Sequence, residues 1–510
     1  MARAVGASDA LETLIAQFSQ PLAFLRELIQ NALDASTNRV DVEVRRDKAE
    51  GCAVIEVIDT GEGMDREIID SRLTCLFSSS KENDLTKIGK FGIGFVSVFA
   101  INPQAVTVET GRSGEAWRIL FRPDRSFERI RLDHPVDGTR VAVWVSLEGR
   151  GFNRLKKDCR DTVIYWCKHC DVEVRFAGEP INEPFSLGQP YEFKHSQQGT
   201  EVVVAPVAGS APFHGYYNRG LTLLEGQGSP LAHLAFKVRS RYLEHTLTRD
   251  NVLHDDHYRL ALSIVKQAAY EGMADDLLER LTEVDADHPL WKALALAAAL
   301  PLERPRQQWP AIFPGFERRY SATELDQQVL YCEQPGALVR ALLEDEQPVL
   351  KAGRNSPLLA CLESLGYQPR AVEQAVFLAV AQPAEEEVRR MLAWVLPNLA
   401  AHGFRSIEAC RVEYGPQRIK DSLSVACRSL GQPCRVDAGG GTLGVQVQHK
   451  TFQQLLTIAS HDRPMAVYLL SRMLGLAHGR TDRAGLEDML SLRRHLANPP
   501  PALSAGKGKK

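Results

Sequence analysis

Glu27 and Asn31 lie four residues apart and Asp34 three further on, so on a helix their side chains share one side. A carboxylate one turn from an amide suits phosphoryl transfer to water. The carboxylate can orient the attacking water, and the amide oxygen offers a neutral ligand to Mg²⁺, which takes few protein ligands because it keeps waters and phosphate oxygens. On an isolated helix the same residues would form only a solvated face. Two later segments supply what that face lacks. Asp59 closes an apolar run and precedes Thr60-Gly61-Glu62-Gly63-Met64, placing a carboxylate where it can accept from an adenine amine while Gly61 and Gly63 let backbone approach the base. Gly89-Lys90-Phe91-Gly92-Ile93-Gly94-Phe95 then opens a helix on glycines, whose free N–H groups suit phosphates. The spacing differs from the dinucleotide pattern GxGxxG. In this order the three segments read as a site for ATP and Mg²⁺.

The elements that must position these groups are legible around them. Leu25, Leu28, Ile29, Ala32 and Leu33 repeat at helical spacing behind Pro21, and Val40, Val42 and Val44 alternate as a strand, followed by a second run over 53–58 that ends at Asp59. Between the glycine clusters, 65–88 passes from a short helical pattern to the polar stretch Ser78-Ser79-Ser80-Lys81-Glu82-Asn83-Asp84, the composition of a hinged lid. Further β runs at 105–109, 116–121, 127–132 and 139–145 predict an α/β sandwich, helices on one face of a mostly antiparallel sheet. A second unit is expected from Gly151, with a helix through Cys167, strands at 172–176, 201–205, 221–224 and 235–238, and a helix after Asp255. Just before that helix, the loop Thr246-Leu247-Thr248-Arg249-Asp250-Asn251-Val252 carries a candidate reacting arginine.

The 510 residues exceed one core and divide, on pattern, into 1–150, a middle domain 151–300, a mixed α/β region 301–385 entered through a Pro-rich linker at 301–314, a C-terminal α/β domain 386–497, and a disordered tail 498–510. The C-terminal domain is expected to contain a strand at 407–414, a helix at 421–430, a hairpin about Gly439-Gly440-Gly441, and helices at 452–459 and 464–476. Lys and Arg total 61 against 64 Asp and Glu, a net charge of −3, so no global field draws the chain to nucleic acid or to an anionic membrane. Ten scattered cysteines fit free thiols in a reducing compartment. Cys167-Lys168-His169-Cys170 lacks a second pair to complete a zinc site and reads as a buried helix end. With no secretory pattern at the N-terminus and no apolar stretch of spanning length, a cytoplasmic protein is expected.

Phe24 to Ala35, Asp59 to Met64, Ile88 to Ser97 and Gly138-Thr139 resemble, in order, the four nucleotide motifs of the GHKL ATPases, and most closely those of the ninety-kilodalton heat-shock chaperone branch to which bacterial HtpG belongs. The resemblance implies that Glu27 activates water, Asn31 ligates Mg²⁺, Asp59 and Thr139 hold adenine, and Gly92 and Gly94 surround the phosphates. Asp34, Gly61, Gly63, Met64, Lys81, Gly89, Phe91, Ile93 and Phe95 would complete the nucleotide site. Thr248-Arg249-Asp250 is similar to the chaperone middle-domain segment whose arginine reaches the γ-phosphate, a task that suits the planar guanidinium fork. The resemblance further implies protein clients or partner proteins and a homodimer; no membrane partner is expected, and the near-neutral charge argues against a nucleic-acid role. The short lid and Ser80-Lys81 are closer to MutL-like and MORC-like relatives. A DNA-linked ATPase and a nucleotide-binding module with little turnover therefore stand as alternatives, while a sensor kinase would need a phosphoacceptor helix ahead of Pro21.

Overall fold

The computed structural model describes residues 15, 20–74, 94–147, 151–246, 251–400, 403–436 and 439–478. They form two compact units, Met1–Ala274 with Leu300–Leu302, and Asp275–Ala299 with Glu303–Lys510. The architecture is mixed α/β, with large, mainly antiparallel sheets covered by helices.

The first unit begins with helix α1 (Phe24–Asp34), which buries Phe24, Leu25, Leu28, Ile29 and Ala32. Pro21 lies in the turn before it, three residues ahead of the first helical position. Eight strands follow in one sheet: β1 (Arg39–Asp47), β2 (Cys52–Asp59), β3 (Ala105–Arg112), β4 (Glu115–Phe121), β5 (Phe127–Arg131), β6 (Thr139–Ser146), β7 (Glu173–Phe176) and β8 (Glu179–Pro180). Their order is β5-β4-β3-β6-β2-β1-β7-β8. Val40, Val42 and Val44 point into the core, as their alternation requires. All pairings are antiparallel except β1 with β7, and a parallel pair needs a crossover. Helix α2 (Phe152–Cys167) precedes β7 and puts Leu155, Cys159, Val163, Trp166 and Cys167 into the same core as α1. The sheet therefore runs to Pro180, beyond the expected break at residue 150, because β7 can pair with β1 only after α2 has crossed the sheet. Cys167 and Cys170 end up buried, and the described residues contain no group of three or more His, Cys, Asp or Glu able to hold a metal ion.

A second, five-stranded sheet completes this unit: β9 (Phe193–Gln197), β10 (Thr200–Pro206), β11 (Phe213–Asn218), β12 (Leu221–Gln227) and β13 (Leu234–Ser240), ordered β12-β11-β13-β10-β9. Helix α3 (Asp256–Gln267) follows, capped by Asp255, whose Oδ1 accepts from the Tyr258 N–H at 2.9 Å.

The second unit holds a three-stranded parallel sheet (Gln328–Cys332, Val349–Lys351, Gln368–Ala371) with helices Ala337–Glu344 and Pro357–Ser364, and a five-stranded sheet with helices Glu386–Ala400, Lys450–Ala459 and Arg463–Ala477. Four expectations need correction. The Pro-rich 301–314 stretch is packed rather than a free linker, since Trp309, Ile312 and Phe313 are buried and Phe313–Pro314 pairs with Arg319–Tyr320. Strand Val376–Ala381 already belongs to the C-terminal sheet, ahead of the break placed at 385. Within 421–430 the chain forms strand Ser424–Cys427 instead of a helix, because the apolar Val425 and Cys427 are buried against strand Thr442–Gln446. Gly439-Gly440-Gly441 joins strands that pair with other partners, not with each other. Gly440 passes so close to the Cys427 carbonyl that a Cβ would sit 2.0 Å from its oxygen. No described helix is long and apolar enough to cross a membrane.

Around Asp59 the first unit relies on backbone-to-backbone packing. Gly138 has φ +68, and a Cβ there would lie 2.1 Å from the Asp59 carbonyl oxygen, whereas Gly51, with φ +64 in the turn between β1 and β2, has nothing within 4 Å. Alanine at 51 is expected to cost about 1–2 kcal/mol, the left-handed backbone alone. Alanine at 138 adds an overlap worth about 1–3 kcal/mol, so its urea midpoint is expected to fall clearly below that of the Gly51 variant. Equal midpoints would show that the contact yields at no cost.

Candidate functional site

A cavity of about 250 Å³ opens between α1, β2, β3, β6 and the segment from Glu62 to Leu73. It lies near the lower edge of small-molecule sites, which span roughly 300–1,000 Å³. Asn31 and Asp34 reach it from α1, Asp59 from the end of β2, Gly63 and Met64 from the following turn, Phe95 from the helical turn beginning at Gly94, and Thr139 from the start of β6. Leu28, Val57, Ile68, Val108 and Val141 supply apolar walls suited to a flat base.

Asp59 is the polar focus. It is 8 % exposed, and its Oδ1 accepts the Gly61 N–H at 2.8 Å. Burial raises its pKa above the usual 3.8, while backbone N–H groups of Gly61 and Thr139 pull it back. Gly61 thus serves the site through its N–H and does not itself line the cavity. The turn that carries it is pressed against neighbouring backbone: a Cβ on Gly61 would lie 2.8 Å from the Ala35 carbonyl oxygen, and one on Gly63, at φ +66, 2.0 Å from that of Gly111. Packing within the protein requires both glycines, where their positions in the sequence point only to approach of a base.

Thr110, fully buried on β3, was missed in the sequence and organises the base end. The Met64 N–H donates to its Oγ1 at 2.9 Å, its hydroxyl reaches the Gly138 carbonyl at 3.2 Å, and Thr139 Oγ1 lies 3.0 Å away. A threonine inside a β run carries no motif signal, and only the pairing of Thr110 with Thr139 reveals it. Arg72 and Arg112 also line the cavity, Arg112 paired with Glu62 at 2.9 Å. Neither belongs to a recognisable pattern.

Glu27 is not among the described residues that line the cavity. It is 4 % exposed, 3.8 Å from the Arg26 guanidinium, and a Cβ on Gly94 would come within 2.9 Å of its Oε2. That approach sets the carboxylate directly against the start of the helical turn that the third motif opens. Arg26 is buried over the Trp166 ring, 4.8 Å from its centroid, and burial lowers its pKa to about 10. Asp34 is half-buried, raised in pKa by burial and countered by Arg219, which donates to it at 3.1 Å. For Mg²⁺ the fitting donor among the described lining residues is the Asn31 amide oxygen, a neutral hard ligand one turn from Glu27.

Lys81, Gly89, Phe91, Gly92, Ile93 and Arg249 lie outside the described residues. The ends of the loop holding Arg249 are described: the Thr246 N–H donates to the Asn251 carbonyl at 2.9 Å and the Leu253 N–H to that of Glu244 at 2.7 Å. His245, at its base, has a pKa lowered by burial and then by the charge of Arg26, the neighbour of Glu27 on α1.

With this geometry in view, residues 21–129 match the family of histidine kinase-, DNA gyrase B- and HSP90-like ATPases. The chain is 29 % identical over 205 residues to the chaperone protein HtpG of Oleidesulfovibrio alaskensis, covering 34 % of this chain and 32 % of that protein. It is 32 % identical over 169 residues to HtpG of Chlorobaculum tepidum, covering 26 % of each. It is 30 % identical over 130 residues to the DNA mismatch repair protein MutL of Shewanella sediminis, covering 24 % of this chain and 20 % of that protein. The chain thus spans a third or less of the length of these relatives. A buried aspartate at a strand tip, an amide and a carboxylate one helical turn apart, and the family match over 21–129 together place this N-terminal region in the GHKL superfamily of ATPases, at a level that includes both HtpG and MutL relatives.

Proposed function

We propose that this chain hydrolyses ATP with Mg²⁺ and uses the cycle to change the surface it offers to protein clients, as an HtpG-like chaperone acting as a homodimer. The observation that carries the reading is the convergence of Asn31, Asp34, Asp59, Gly63, Met64, Phe95 and Thr139 on one cavity, with Glu27 one helical turn from Asn31 and against Gly94. In this reading Asp59 accepts the adenine amine, and Thr110 holds Met64 and Thr139 at the base. Asn31 would hold Mg²⁺, whose contribution when bound is to draw charge from the phosphates. Glu27 orients water, and its burial beside Arg26 and Gly94 keeps bulk solvent from competing. Arg249 adds a cation to the γ-phosphate as lid and loop close.

The chaperone reading is supported by similarity to HtpG over 205 and 169 residues, against 130 for MutL, and by a net charge of −3 that gives no general field for a polyanion. A MutL-type, DNA-linked ATPase is the second reading, favoured by MutL relatives of equal identity. The two differ on duplex DNA: the chaperone reading expects no retention, and binding whose affinity falls steeply with salt would select the other.

Glu27→Ala is expected to keep ATP binding and slow hydrolysis by about 10²–10⁴-fold, the usual worth of a positioned base, as measured by phosphate release beside a nucleotide titration. Unchanged turnover would remove Glu27 from its role. Asp59→Asn is expected to weaken adenine-nucleotide binding by about tenfold to a hundredfold, the loss of a hydrogen bond to a charged acceptor. Because the folded pKa of Asp59 is raised, the native state binds protons more tightly than the unfolded chain, and Asp59 lowers stability as pH rises from 3.8 through the folded value. The asparagine variant is therefore expected to unfold no earlier than the parent at neutral pH. Wild-type affinity should fall as the pH drops into that window and the acceptor is lost. Parent-like affinity in the variant would show that the base is read elsewhere.

A further inference from the structure

Strands β11 and β12 meet in a two-residue turn, Arg219-Gly220, with Asn218 paired to Leu221. Both turn residues have positive φ, +48 and +85. Such turns favour Asn-Gly or Gly-Gly, because a longer side chain at the first position costs about 1–2 kcal/mol in left-handed backbone. Gly220 is fixed by packing, since a Cβ there would lie 1.9 Å from the His169 carbonyl oxygen. Arg219 has no such local reason, and its side chain goes elsewhere: Nη1 donates to Oδ1 of Asp34, on the nucleotide helix, at 3.1 Å. Asp34 lines the cavity. The turn is anchored on both sides, by the Asn218 amide donating to the Leu243 carbonyl at 2.6 Å and by the Thr222 hydroxyl donating to the Tyr165 carbonyl at 2.8 Å. Leu243 leads directly into the loop whose described ends are Thr246 and Asn251.

We propose that Arg219 is a positioning residue that neutralises Asp34 at the edge of the nucleotide pocket and ties the second sheet, with the base of the 244–253 loop, to helix α1. The assignment rests on the nucleotide-binding reading. A carboxylate in the wall of a site that receives a polyphosphate repels it, and an arginine held on that carboxylate removes the repulsion without occupying the pocket. The same pair makes nucleotide binding and seating of the hairpin mutually dependent, since a coupling between two sites acts equally in both directions.

The turn chemistry separates this role from a structural one. Arg219→Asn suits the left-handed backbone better than arginine does, so the variant is expected to fold and to melt no lower than the parent. In the full-length protein without nucleotide, hydrogen exchange at 218–222 and at 244–246 should quicken by about twofold to fivefold, the worth of a partly exposed ion pair. Asp34→Asn should reproduce that change, and the double variant should show no further increase. With ADP and Mg²⁺ as the probe, Arg219→Asn should weaken binding by a similar factor, because the Asp34 charge is then uncompensated. Unaltered exchange in Arg219→Asn would overturn the proposal, as would parent-like ADP affinity in that variant. If the parent protein binds no ADP, the nucleotide reading fails, while the exchange measured without ligand still decides whether Arg219 couples the hairpin to α1.

Discussion

The nucleotide-like cavity depends on one burial: the Asp59 carboxylate, kept from water at the end of β2 and held by the N–H groups of Gly61 and Thr139. A buried carboxylate with two donors still prefers solvent, so the surroundings must leave it no room to turn outward. Backbone does this work. The turn after Asp59 lies on the end of α1 and on the β3 terminus, and the segment before β6 lies on Asp59 itself, each approach too close for a side chain. The apolar walls and Thr110 fill what remains. The site is a gap between main chains with one charge fixed at its base, so its shape is set by the sheet register and changes little with side-chain rotamers.

Much of this was legible in the sequence because the chemistry is local. Glu27, Asn31 and Asp34 share a helix, Asp59 ends an apolar strand, and Gly138-Thr139 begins another; the cavity unites residues from all three elements. Residues whose role comes from non-local pairing gave no signal. Thr110 matters because β3 and β6 align it with Thr139, and Arg219 because a hairpin more than 180 residues later folds back to Asp34. The glycines were recognised as necessary, but their partners turned out to be carbonyl groups of the protein.

Composition places breaks at 150 and 385, whereas strands join sheets by hydrogen bonding across long separations. The strand at 376–381 and the strands β7 and β8 each fall on the far side of a compositional break from the sheet they complete. In 421–430, a polar stretch with scattered apolar residues fits helical spacing on paper, and the edge offered by strand Thr442–Gln446 makes it extended.

Helix α2 and strand β7 have a practical consequence. Trp166, on the last turn of α2, is the platform under Arg26, the neighbour of Glu27, and β7 is the only described partner on the outer side of β1. A fragment ending at residue 150 would leave Val40 and Val42 along an open β edge, a template for intermolecular pairing, and would remove the aromatic platform from Arg26 beside Glu27. Any fragment meant to keep this sheet closed on its outer side must therefore extend past residue 150 and carry α2 and β7 with it.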